Sequence, residues 1–159
     1  MTKPKTPVEL LRSTWQSLSP KPAGKFVFSR LFGRFIPYSG SIRPRILELA
    51  AGRAVIAIDD RRAVRNHLDS VHAVALANLG EMSTGLALTF GMPADARSIL
   101  VRLSCEYLKK ARGRLVATCE APAVPSTEPR DYEVVSVIRD ERGDTVARAT
   151  AVWKVGPGR

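Results

Sequence analysis

The stretch from Arg65 to Leu88, RNHLDSVHAVALANLGEMSTGLAL, constrains this chain more than any other. A polar loop, Asn66 to Ser70, runs into a segment that is nearly apolar. Val71, Val74, Ala75, Leu76, Leu79, Met82, Leu86, Ala87 and Leu88 cover most of its helical circumference. A helix that is hydrophobic all round belongs at the centre of a domain, with other elements wrapped over it. One acid, Glu81, stands inside it with no Lys or Arg three or four residues away, and both histidines, His67 and His72, lie at its entrance.

A chain of 159 residues has the size of one domain and can enclose such a helix. No apolar run approaches the roughly 20 residues needed to span a bilayer. The start, MTKPKTPVE, is polar and lacks a signal-peptide core, so a cytoplasmic protein is expected. Cys105 and Cys119 fit no metal spacing and are expected to be buried, reduced thiols; no metal site is expected. The net charge of +10 is unevenly spread: residues 1–65 hold 13 Lys/Arg against four acids, and the remainder is nearly neutral. A positive patch attracts polyanions of any kind, so charge alone does not choose between nucleic acid, anionic lipid and a phosphorylated small molecule. Aromatic-basic stacking motifs on strands and a helix-turn-helix pattern are both missing, so no nucleic-acid partner is expected.

Thr6-Pro7-Val8-Glu9 is a helix start with a capping box and proline at the first helical position. Val8, Leu11, Trp15 and Leu18 then form one apolar stripe. After the break at Ser19-Pro20-Lys21-Pro22, the segment AGKFVFSRLFGRF interleaves Phe26, Val27, Phe28, Leu31, Phe32 and Phe35 with Lys and Arg. The favoured reading is a helix that packs its apolar face on the domain. Membrane contact through residues 21–35 is the less favoured one.

Strands are expected over 41–49 and 54–59, around a turn at Ala51-Gly52-Arg53. After the central helix, residues 98–108 alternate, with Val101, Leu103, Cys105 and Tyr107 on one face. Further strands are expected from Leu115, over 132–138 and over 145–155, separated by the turn 109–113, a proline-rich loop at 121–130 and a hairpin turn at 140–144. Ala147, Ala149, Ala151, Trp153 and Val155 share the inner face of the last strand. The order is two helices, two strands, one buried helix and four strands in meander. That is an α+β domain with an antiparallel sheet curled around one helix.

An unpaired carboxylate on an apolar helix is costly to bury charged, so the pKa of Glu81 is expected to rise, as it does in catalytic bases. Against this stands the plain alternative that Glu81 faces solvent or meets an Arg from a strand. His72 lies nine residues earlier, about 900° of helical rotation, so the two side chains leave opposite faces. If both serve one site, it is shared between two copies of the helix. The free amides at His72 and Ala73 suit a developing oxyanion, and Asn66 adds a side-chain donor. By residue type alone, however, Asn66, Asp69 and Ser70 make turns and caps.

Asn66, His72 and Glu81, at separations of six and nine, together with the order of elements, resemble the hotdog-fold thioesterases of the phenylacetate-pathway branch. Their pattern is N-x-x-G-x-x-H-G-G-x-x-x-x-x-x-D/E, and NHLDSVHAVALANLGE matches it at Asn, His and acid without a gap. The segment YLKKARGR at 107–114 is similar to the family's link between its third and fourth strands, and the overall style is closest to a hotdog family with no assigned substrate.

The resemblance implies a hotdog domain over 36–159 with an N-terminal helical extension over 1–35. It implies acyl-CoA thioester hydrolysis, with Glu81 as general base or nucleophile, the Ala73 backbone N–H as oxyanion donor, Asn66 positioning substrate or water, and His72 shaping the turn. Val74, Asn78 and Thr84 are the expected substrate contacts. Coenzyme A would enter only as part of an acyl-CoA or acyl-carrier thioester, with no further cofactor. A homodimer with shared sites is expected, or a tetramer built from it. The family's Gly-Gly pair is Ala73-Val74 here, and its earlier glycine is Asp69. That departure motivates the competing reading, a non-catalytic acyl- or lipid-binding protein.

Overall fold

The computed structural model describes residues 6–158. The elements run α1 (Pro7–Leu18), α2 (Gly24–Phe35), α3 (Pro37–Ser41), β1 (Arg45–Ala50), β2 (Arg53–Ile58), a 3-10 turn (Arg62–Val64), α4 (Ala73–Gly91), β3 (Ala96–Tyr107), β4 (Leu115–Glu120), β5 (Arg130–Arg139) and β6 (Thr145–Pro157). Six strands form one sheet in the order β1-β2-β4-β5-β6-β3, every neighbouring pair antiparallel. The α+β expectation holds.

Helix α4 touches all six strands. A flat sheet of six strands would be roughly 24 Å wide, whereas a helix with its side chains is about 10–12 Å across. The sheet therefore curves around α4. Leu79, Ala87 and Leu88 are wholly buried in that grip. The approach is closest where the helix has no side chain. A Cβ on Gly80 would lie 2.3 Å from the Ala149 Cβ, and one on Gly85 would lie 2.9 Å from the Trp153 ring. The alanines of β6 and the glycines of α4 thus fit each other. Trp153 Nε1 donates to Thr84 Oγ1 at 3.1 Å, and the buried hydroxyls of Ser83 and Ser136 pair at 2.6 Å.

Helix α1 starts as its sequence requires: Glu9 N donates to Thr6 Oγ1, and Thr6 N donates to the Glu9 carboxylate. Trp15 meets Phe28 of α2 edge-on at 5.0 Å. Arg12 donates to the carbonyls of Thr89 and Met92 at the end of α4. Val8, Trp15, Phe28 and Phe32 belong to the same buried cluster as the sheet and α4. The N-terminal helices therefore extend the domain's core rather than forming a unit of their own, and residues 1–5 of the expected extension lie outside the described residues.

Four sequence expectations change. Residues 41–44 are not strand: Ser41 ends α3, Arg43 has φ of +50° and Pro44 has no N–H for a ladder. In β3 the register shifts between Leu100 and Arg102, so Val101 turns outward instead of joining Leu103. The last four strands are not one meander, because β3 pairs with β6 at the far edge. The seven-residue link from Leu108 to Arg114 crosses about three strand spacings, roughly 14 Å, well within the reach of an extended chain. Finally, Cys119 is buried and its thiol pushed up to about 12 by burial, but Cys105 is only partly buried.

Candidate functional site

The entrance to α4 is built by the β3–β4 link. Val71 N donates to Ala111 O at 2.8 Å, while Ser70 Oγ donates to Ala111 O and accepts from Ala111 N. Arg112 Nε donates to Asp69 O at 2.8 Å. Asp60 accepts from Arg65 Nε at 2.6 Å and from Gly113 N at 3.1 Å. Burial alone would raise this carboxyl, but those two hydrogen bonds together with the charges of Arg65 and Arg112 outweigh it and lower the Asp60 pKa. The loop is thus anchored from three sides before the helix begins.

Within it, Asn66 Oδ1 accepts from Leu68 N and Ser70 N, and Asn66 N donates to Ser70 O. The side chain closes the turn that residue types predict, leaving only its Nδ2 for anything else. Asp69 has φ of +57°, the left-handed conformation that explains why glycine suits this position. Its carboxylate points to solvent near Arg65 at 3.6 Å, away from the helix amides.

His72 is the N-cap of α4, and its Nδ1 accepts from Val74 N at 3.1 Å. Ala75 N and Leu76 N both donate to His72 O. Among the described residues no acceptor lies within hydrogen-bonding distance of the Ala73 N–H. It remains a free donor at the positive end of the helix dipole. Tyr107 Oη, from β3, donates to Ala73 O at 3.1 Å and ties the sheet edge to this helix start.

Along α4 the sheet leaves one stripe less covered: Val74, Ala77, Glu81 and Thr89, spaced three, four and eight apart, are less buried, whereas Gly85 meets the Trp153 ring. Among the described residues no cation pairs with Glu81, so the alternative of an arginine partner from a strand does not apply. Burial raises its carboxyl pKa. Glu81 is eight residues from Ala73, about 12 Å along the helix axis.

The other expected contacts sit differently. Val74 is exposed on that stripe. Asn78 is buried, and its Nδ2 donates to Tyr38 O at 3.1 Å, tying α4 to α3. Thr84 is buried against the sheet, its Oγ1 donating to Glu81 O and accepting from Trp153. Asn78 and Thr84 therefore each hold α4 to a neighbouring element by a hydrogen bond. The roles of Tyr107, Arg112 and Asp60 left no local signal, because their hydrogen bonds with Ala73, Asp69 and Gly113 span 34 to 53 residues. Among the described residues no group of three His, Cys, Asp or Glu is placed to hold a metal ion, and no helix is long and apolar enough to cross a membrane.

Residues 24–155 match a family model described as a domain of unknown function, DUF4442. A protein solved as structural-genomics target APC5556 is 30% identical, with a TM-score of 0.81 over 94% of this chain and 99% of its own. A thioesterase family protein from Silicibacter pomeroyi shares 20% identity at a TM-score of 0.70, covering 82% of this chain and 96% of that one. A thioesterase from Staphylococcus aureus shares 15% at 0.68, covering 76% and 99%. At such identities the last two speak for the fold alone. No curated protein matches the chain in sequence. With the model spanning most of its length and the sheet wrapped around one helix, the chain belongs to the DUF4442 family and carries the hotdog fold.

Proposed function

We propose that the protein hydrolyses acyl thioesters at a site shared by two copies of the chain. The observation that carries this reading is Glu81: a half-buried carboxylate with raised pKa and no counter-charge, on the stripe of the central helix that the sheet covers less. A base whose pKa lies above the ordinary carboxylate range holds a proton more readily near neutrality. Glu81 takes a proton from water as the oxygen attacks the thioester carbonyl carbon. The resulting oxyanion accepts from the partner's Ala73 N–H. Collapse breaks the C–S bond, and the leaving thiolate takes the proton back from Glu81.

The 12 Å between Ala73 and Glu81 is what asks for a second copy. Strand β3 offers the place. It is a 12-residue edge strand with exposed Ile99 and Val101, and an open edge of that length invites pairing. Acyl-CoA is the substrate class this reading favours, with no cofactor beyond the coenzyme A of the substrate, and the cytoplasm the compartment. The names of the structural neighbours, including a probable thioesterase from Pseudomonas aeruginosa, are consistent with it. Release of free thiol from a panel of acyl-CoAs by wild type and Glu81→Ala tests it. A loss of roughly 10²–10⁴-fold is expected; equal rates would remove Glu81 from the chemistry.

The non-catalytic acyl-binding reading draws on Val74. Its side chain stands on the same stripe where the resembling enzymes have glycine. An acyl ligand retained through purification, without turnover of any acyl-CoA, would favour that reading.

A further inference from the structure

Helices α2 and α3 show a surface that the thioester site does not use. Phe35 (79%), Tyr38 (68%) and Phe26 (60%) are the three most exposed large hydrophobic residues among those described, all within 13 residues of chain. The packing expected for the second helix is thus half realised: Phe28 and Phe32 enter the core, while Phe26, Val27, Leu31 and Phe35 stay outside. Arg30 and Arg34 share the outer face with Phe26, Val27 and Leu31, whereas Phe35, nine residues from Phe26, leaves the other side of the helix.

Beside α2 runs an open groove of about 890 Å³, rimmed by Arg30, Arg34, Arg43 and Arg61. The only acid lining it, Asp59, is paired with Arg45 at 2.9 Å. Among the described residues no acid pairs with Arg30, Arg34 or Arg43. Arg61 Nη2 donates to Ser41 O, but its Nε is buried without a partner. Burial, and then the nearby charge of Arg43, makes the Arg61 guanidinium easier to deprotonate than usual, as expected where cations crowd without an anion.

A second copy of the chain is a poor occupant. An isologous contact sets a patch against itself and would bring arginine to arginine. A small free anion would satisfy the groove yet leave Phe26, Val27 and Leu31 beside it in water. An anionic lipid surface answers both, with phosphates for the cations and an apolar boundary layer for these side chains. We propose that the outer face of α2 docks on anionic membranes, with headgroup phosphates in the arginine-rimmed groove and Phe26, Val27 and Leu31 in the interface. This contact is peripheral and stands apart from the thioester reading.

The test is cosedimentation of the full chain with vesicles of phosphatidylcholine alone or mixed with phosphatidylglycerol. Wild type is expected to bind the mixed vesicles and not the neutral ones. Each cation near an anionic surface contributes roughly a fivefold gain in partitioning, so Arg30→Glu with Arg34→Glu should weaken binding about twentyfold or more. Phe26→Ser with Leu31→Ser should weaken it at least tenfold, with circular dichroism and Tm unchanged because both side chains are already exposed. Equal binding to both vesicle types, no binding, or full binding by the Phe26/Leu31 variant would overturn the proposal. So would displacement by inorganic phosphate, which marks a free-anion site, or a Phe26/Leu31 variant that alters oligomeric mass but not vesicle binding.

Discussion

At the scale of single residues, two atoms of α4 carry the proposed chemistry, and each can be removed cleanly. The Ala73 N–H is at the first helical position, where proline is tolerated because its missing donor would have no helical partner. His72 has φ of −63° and ψ of 140°, the extended conformation that a residue before proline prefers. Ala73→Pro should therefore leave the helix intact while deleting the oxyanion donor. The expected cost is roughly 10²–10³ in kcat, with Tm little changed; a variant with normal kcat would place the oxyanion elsewhere.

Glu81 makes a second prediction, in which activity and stability move in opposite directions. Burial raises its pKa in the folded protein above the unfolded value. Below both values the group is neutral in both states and costs nothing. As pH rises through that interval the folded state retains its proton longer, so stability falls until the group ionises in the fold as well. Glu81→Gln removes this penalty. Its Tm should exceed that of wild type near neutral pH, and the difference should vanish at acid pH. Wild-type kcat/KM should lose activity on an acid limb above the ordinary carboxylate range. A Tm gain that persisted unchanged into acid would show that ionisation is not its source.

At the scale of elements, the contact between α4 and β6 depends on the absence of a side chain at Gly80. Alanine has the higher helix propensity, by about 1 kcal/mol over glycine. At position 80, however, a Cβ would stand 2.3 Å from that of Ala149, and neither backbone can withdraw without shifting a strand or the helix. Overpacking of this kind costs about 1–3 kcal/mol, so Gly80→Ala should be net destabilising in urea denaturation despite its better propensity. A stabilised Gly80→Ala would mean that the sheet yields there. The loop before α4 follows the same logic of long-range support: Arg112, Ala111 and Gly113 hold it from the β3–β4 link. That link passes beneath the helix start because β3 lies at the far edge of the sheet from β2.

At the scale of the whole molecule, the proposed activity depends on assembly. If Glu81 of one copy meets the partner's Ala73, a monomer has both groups and no active site. Ile99 and Val101, exposed on the edge strand, are where to separate the copies without touching the core. Ile99→Lys with Val101→Lys should shift the mass measured by light scattering from dimer to monomer. Acyl-CoA hydrolysis should fall with the dimer fraction, while circular dichroism stays native. Full activity in a demonstrated monomer would sink the shared-site mechanism and leave the fold untouched.

The sequence by itself determined the elements whose signals are local and periodic. The apolar circumference of residues 71–88 made α4 the axis, Thr6-Pro7-Val8-Glu9 made the first helix start, and the alanines of 147–151 marked an inward face. The turn made by Asn66 was also legible, because it bonds to amides two and four residues away. Tertiary structure alone decided the rest. It put β3 beside β6, reversed the alternation at Val101 through a bulge, and left Phe26 and Phe35 outside while Phe28 and Phe32 went in. It assigned Asn78 to Tyr38 and Thr84 to Trp153, and left Glu81 on the less covered stripe. A local pattern specifies which face of an element is apolar. Which neighbour covers that face, and which stripe stays less covered, depends on strands that meet it from far along the chain.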